Sequence, residues 1–238
     1  MKTLLPFSLL MLVLVGCATP TGTDRHANVP VDPGFPKNYV ATDRRVVTVG
    51  PSFLADGIRQ FRNPHLDRCE IAEGFDFMGW DGLYIAPATS EIGSFPDAEH
   101  RRVHDLALEN LVLEFRRTLA NHGLFPKIVT EQEAIPANAR FLKLETTVTE
   151  WQKGGGAARF WIGLYGGGQP VLRVRGKFIG DGKTQMDFGA RRSGVSVQAR
   201  LDGGWSHDAD LQLADIRSMV LDVTDFMMAI AGKYPAKP

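Results

Sequence analysis

His100 and His104 lie four residues apart in a stretch of helical periodicity, a spacing that sets two imidazoles on one face as some zinc sites require. A metalloprotease helix would follow its first histidine with a glutamate. Here Arg101 and Arg102 follow, and two cations oppose metal capture. His65, Cys69 and His207 are too scattered to complete a ligand set, so the two histidines are expected on a solvated helix start, with no metal and no cofactor. The run Gly176 to Thr184 invites comparison with a phosphate-binding loop. Counting defeats it: five residues, not four, separate Gly176 from Gly182-Lys183, and alternation rather than a helix follows. Asp208, Asp210, Asp215, Asp222 and Asp225 are not spaced as a calcium loop and are expected on the solvated face of a helix. Glu131 with Glu133, and Asp76 with Asp81, lack an acid/base context, and no Gly-x-Ser-x-Gly elbow is present. No catalytic residue is expected, and Cys69 is expected as a buried thiol.

The most unusual stretch is Gly154 to Gly168, which joins glycine clusters to three aromatic side chains. Glycine permits close approach of another backbone. Arg159, Phe160, Trp161 and Tyr165 are therefore candidate partner-binding residues. The alternative is a hairpin end whose aromatics fold back on their own sheet.

Positioning any of these residues falls to one ordinary core. The 238 residues carry 27 basic and 27 acidic side chains, 44% are hydrophobic and only two are cysteine. That balance argues against a nucleic-acid partner, which needs a basic surface, and the cysteine count against a disulfide scaffold. Val103, Leu106, Ala107, Leu111, Phe115 and Leu119 recur at three- and four-residue steps, which predicts an amphipathic helix over about 97 to 122. A second long amphipathic helix opens near Ser206 or Asp208 and carries Leu213, Ile216, Val220, Val223, Met227 and Ile230. Between them Phe141 to Glu150 and Val171 to Ile179 alternate, with Arg173, Arg175 and Lys177 pointing outward, and Met186, Phe188 and Ala190 resume the pattern. Asp181-Gly182 is a hairpin signal, because a type I′ turn needs positive φ at both central residues. Leu83 to Ala86 reads as the first core strand and Leu124 to Thr130 as another; Val46 to Trp80 shows little pattern. The expectation is an α+β fold, a mostly antiparallel sheet with both helices packed on one face.

The N-terminus reads as an export signal. Lys2 precedes an apolar run to Gly16 that is too short to span a bilayer as a helix. Leu14-Val15-Gly16-Cys17 resembles the lipobox of bacterial lipoproteins, which implies cleavage before Cys17, a diacylglycerol on its sulfur and an acylated amino terminus. One acyl chain binds a membrane only marginally, whereas several anchor a protein stably. Ala18 and Thr19 follow, without the aspartate that marks inner-membrane retention in that family, so the resemblance implies the outer membrane, facing the periplasm. The expected organisation is a signal peptide over 1–16, the lipidated cysteine with a proline-rich flexible tether over 17–45, and one domain over 46–238.

Behind that lipobox, Gly154 to Arg159, Gly163, Gly166 to Gly168, the basic strand Val171 to Lys177 and the turn Asp181-Gly182-Lys183 resemble a group of uncharacterised bacterial outer-membrane lipoproteins, over residues 83 to 230. The hairpin here is one or two residues shorter than in that group. The resemblance implies an envelope lipoprotein and carries over no catalytic residue. The order of helices and strands is more distantly similar to periplasmic modules of lipoproteins that assist secretion channels or peptidoglycan synthases. The expected function is a lipid-anchored, non-catalytic binding or assembly module with an envelope protein partner. Two alternatives remain open at this point: a hydrolase or metal-dependent enzyme using His65, Asp67 and His207, and an oligomeric channel or secretion accessory component.

Overall fold

The computed structural model describes residues 38–153, 170–193 and 208–237, all within one compact unit. Two long helices and eleven strands account for the elements that matter here. Strands β1 (Asn38–Val40) and β2 (Val46–Thr48) pair antiparallel as a small separate sheet. The folded body thus starts inside the stretch that composition assigns to the tether, because the C-terminal tail holds β1: Tyr39 bridges Ala236, and the Val40 amide donates to the Pro235 carbonyl at 3.0 Å.

The main sheet contains β3 (Ser52–Ala55), β4 (Ile58–Phe61), β5 (Arg68–Ala72), β6 (Gly82–Ile85), β7 (Thr89–Ser90), β8 (Ile128–Val129), β9 (Phe141–Gln152), β10 (Val171–Gly180) and β11 (Lys183–Ser193). Its order is β3-β4-β5-β11-β10-β9-β6-β8, with β7 on β9. Pairing is antiparallel from β3 to β9, while β6 runs parallel to both β9 and β8. Strands β3 to β5 fill the region with little sequence pattern, so Leu83 lies in the sixth strand, not the first. The expected Leu124–Thr130 strand shrinks to the two residues of β8. Leu124 and Phe125 are buried in the core instead.

Helix α1 (Ala98–His122) follows its pattern. Asp97 caps its start by accepting from the His100 amide at 2.8 Å, and Gly123, at φ 61°, ends it in the left-handed conformation. Helix α2 (Asp208–Ile230) packs on α1 and against β10 and β11, and α1 lies against β6 and β8. The helices run parallel. Glu114 of α1 accepts from Arg217 of α2 at 3.0 Å, and eight residues on in both helices His122 stands 3.8 Å from Asp225.

Alternation fixes which side chains of the sheet are buried. Leu142, Leu144 and Val148 of β9, Leu172, Val174 and Phe178 of β10, and Met186, Phe188 and Ala190 of β11 are all buried. Each large apolar side chain placed there contributes about 2 kcal/mol relative to exposure. A bulge keeps the face consistent: Arg173 pairs with Glu150 but Val174 with Val148, so Thr149 is the extra residue and Trp151 turns inward. The hairpin between β10 and β11 turns at Asp181 (φ 51°) and Gly182 (φ 73°), as the type I′ signal requires.

Candidate functional site

Among the described residues, the side chains that alternate with the buried apolar set on the central strands are mostly polar. Arg173 and Arg175 of β10 stand beside Gly189 and Arg191 of β11, with Glu150 of β9 on one flank and Arg68 and Glu70 of β5 on the other. This follows from a period of two: residues between the buried apolar positions must point the other way. The charges are tied together. Arg175 donates to both oxygens of Asp187, at 2.8 Å and 3.4 Å. Arg68 donates to Glu70 at 2.6 Å and stands 3.9 Å from Asp187. Arg173 reaches Asp67 at 3.4 Å and Glu150 at 3.3 Å, and Arg191 reaches Glu150 at 3.5 Å. The Asp187 carboxylate, hydrogen-bonded to it, raises the pKa of the Arg175 guanidinium.

Four arginines are thus matched by Asp67, Glu70, Glu150 and Asp187. In their midst is a depression of about 370 Å³, walled by Asp67, Arg68, Arg173, Arg175 and Asp187 and floored at Gly189. An arginine offers five N–H donors, and these pairings leave some of each fork unused. The chemistry on offer is recognition: directed donors and acceptors on a rigid, twisted sheet.

Sequence reasoning saw half of this. The outward alternation of Arg173, Arg175 and Lys177 was visible; their neighbours Asp67 and Arg68 come from the region without pattern. Cys17, Arg159, Phe160, Trp161 and Tyr165 all lie outside the described residues. The strands flanking the glycine-rich stretch are placed: Gln152 pairs with Val171, Lys153 reaches Glu99 at 2.6 Å, and Gln212 of α2 donates to the Gln152 carbonyl at 3.4 Å.

The two histidines part company. His100 meets the Asp97 carboxylate at 2.8 Å, on the expected helix start. His104 is not solvated but buried, against Trp151 and Phe95 at ring distances of 5.4 Å and 4.8 Å. Its position corrects the assigned inner stripe, since Leu106 is exposed. His104 Nε2 lies 2.9 Å from Ser90 Oγ and Nδ1 3.2 Å from Asp105. That order is familiar from hydrolytic triads, but Ser90 Oγ also accepts from the Ile92 amide at 3.1 Å, so its hydrogen bonds knit β7 to α1.

The acidic helix needs a similar correction. Asp215 and Asp225 are buried. Asp225 accepts from the Tyr234 hydroxyl at 2.9 Å and lies 3.0 Å from Arg45; burial, then the adjacent carboxylate, pushes the Tyr234 phenol well up. Burial raises Asp215 to about 6, opposed by Arg192. His65 stands 3.9 Å from Asp222, while Asp67 turns to Arg173, and His207 lies outside the described residues. Among the described residues no three His, Cys, Asp or Glu side chains gather as a metal site would need. Cys69 is buried and its thiol pKa is pushed up by burial, then by Glu70 and Asp187. No helix of the described residues is long and apolar enough to cross a membrane.

No protein-family model and no curated protein matches the chain. Among solved structures it is similar to a PelC dodecamer from Paraburkholderia phytofirmans, at 17% identity over 65% of this chain and 95% of that one, with a TM-score of 0.41. It is also similar to a DUF330-family protein from Xanthomonas campestris, at 13% identity over 65% and 86% of the two chains, with a TM-score of 0.37. Overlaps of this size speak to neither chemistry nor assembly.

Proposed function

We propose that this chain is a lipoprotein of the bacterial cell envelope, anchored through Cys17 in the outer membrane and facing the periplasm, whose folded body is a non-catalytic binding or assembly module. The observation that carries the reading is the polar sheet face. One set of alternating side chains on the central strands is buried, while the other, among the described residues, presents an array of arginines and carboxylates spent on one another, an arrangement suited to orienting a partner. The lipobox at Leu14 to Cys17 and the prolines after it supply the anchor and its reach. Arg159, Phe160, Trp161 and Tyr165 are proposed as further partner contacts.

Two measurements test it. Labelling cells with a palmitate analogue marks the parent and leaves Cys17→Ser unmarked. Reversing Arg173 and Arg191 to glutamate together, or changing Trp161→Ala, removes an envelope protein that the parent retains through detergent extraction. An unmodified parent that still carries residues 1–16 overturns the anchor. Retention unaltered by the charge reversal and by the Trp161 change overturns the module.

A further inference from the structure

Four glycines occupy strand interiors or ends in the main sheet, and three have a packing reason. A Cβ on Gly82 would strike the Phe141 ring at 2.5 Å. On Gly176 it would enter the Phe188 ring, and on Gly180 the Trp80 ring. These rings lie on the strand backbone, so the missing side chain is filled space. Gly189 differs. Its nearest neighbours would be Asp67 Cβ and the Arg68 Cβ and amide, all at 3.7 Å, which is ordinary contact, and its φ is not in the left-handed region.

Neither clash nor backbone conformation therefore calls for glycine at this position. A glycine inside a strand forgoes cross-strand packing and carries an entropic penalty, and it often marks a bulge, a bend or a place where a ligand or another backbone approaches closely. Gly189 sits opposite Arg175 on one side and Arg68 on the other, and its bare backbone floors the depression.

The charge of that hollow selects its occupant. Three cations, Arg68, Arg173 and Arg175, and two anions, Asp67 and Asp187, line it, leaving one positive charge in excess. The surrounding network adds one cation, Arg191, and two anions, Glu70 and Glu150, so the whole array is neutral and only the immediate lining carries an excess, of a single charge. A monoanion is matched. A phosphate dianion would lie beside two carboxylates and meet their repulsion. Asp67 and Asp187 can accept hydrogen bonds from hydroxyls, while the guanidinium forks pair with a carboxylate in two parallel bonds. At about 370 Å³ the depression is at the small end of ligand sites, with room for a single ring.

We infer that the depression over Gly189 is a subsite for one carboxylate-bearing sugar unit, held by Arg68, Arg173 and Arg175 with its hydroxyls on Asp67 and Asp187. The inference rests on the polar face being a binding surface and names what that surface takes.

The test uses the full-length chain in detergent micelles, titrated with sodium glucuronate, glucose and inorganic phosphate and followed by ligand-observed NMR. Glucuronate is expected to bind at least about tenfold more tightly than either glucose or phosphate, roughly 1.4 kcal/mol. Gly189→Leu fills the hollow without removing any charged side chain and should weaken glucuronate about tenfold or more while the melting temperature holds. Should that variant fail to fold, Arg173→Gln is expected to give the same loss. Glucose binding as well as glucuronate, phosphate binding as well as glucuronate, or glucuronate binding that survives the variant that folds would each overturn the subsite. Retention of the envelope partner separates the two ideas: a partner lost on charge reversal with glucuronate silent sinks the sugar site alone. Glucuronate bound without any partner sinks the assembly module alone.

Discussion

Arg173 and Arg191 stand directly opposite each other on β10 and β11, two like charges in cross-strand register. Glu150 on the next strand touches both, at 3.3 Å and 3.5 Å. Like charges facing each other across a sheet destabilise it, so one carboxylate here offsets a repulsion as well as forming ion pairs.

Glu150→Gln is accordingly expected to cost about 1 kcal/mol or more, at the top of the range for exposed ion pairs. Urea unfolding at low salt and at about 0.5 M salt checks it, because screening must shrink the difference between variant and parent. A loss that ignores ionic strength would refute the electrostatic account.

The strand glycines give a paired prediction. Gly176→Ala drives a methyl group into the buried Phe188 ring and should cost about 1–3 kcal/mol, the usual range for overpacking. Gly189→Ala meets only ordinary contacts and should leave the unfolding midpoint unchanged or slightly raised. Equal effects at the two positions would mean that contact with a buried ring does not distinguish the two glycines.

Much of the fold was legible because its periods are clean. α1 differs from expectation by a residue at its start, and the β10–β11 hairpin turns where Asp181-Gly182 said it would. The strands before Leu83 were illegible for a physical reason: β1 to β5 are three to five residues long, too short for alternation to declare itself. The candidate site was half visible for the same reason. Outward arginines on β10 follow from alternation, whereas Arg68 and Glu70 join them only because β5 pairs with β11, a contact between distant parts of the chain. Buried Asp215, Asp225 and His104 read as solvated because nothing local marks a polar side chain whose surroundings come from another element.

Tyr234 and Asp225 fasten the tail that holds β1. Tyr234→Phe removes the buried 2.9 Å hydrogen bond and leaves the carboxylate to Arg45 and His122. A cost of about 1–3 kcal/mol is expected, since a charged buried acceptor loses a donor. Hydrogen exchange should locate it: the Val40 amide, bonded to the Pro235 carbonyl, exchanges faster than in the parent while α1 amides keep their protection. Uniform acceleration across the domain would contradict a local fastening.

Asp215 supplies a pH dependence whose direction is fixed. Burial raises its pKa from the ordinary 3.8 to about 6, against the pull of Arg192. The folded state therefore binds the proton more tightly than the unfolded chain does. Stability from this group is complete below about pH 4 and is lost as pH rises through about 6, where the carboxyl ionises in place. Other groups face it: Arg192 from β11 pairs with Asp222 one helical stretch on, and Asp222 in turn lies 3.9 Å from His65. His65 is held low by burial and then by Arg192, so its own protonation works against folding in the acid range and partly masks the effect. Asp215→Asn separates the two, because it removes the carboxyl and leaves His65 and Arg192 in place. At pH 7.5 the variant should be more stable than the parent by on the order of 1–2 kcal/mol, the advantage fading to nothing near pH 4. Thermal melts of both proteins across that interval decide the matter, and parallel curves would show that Asp215 ionises without cost.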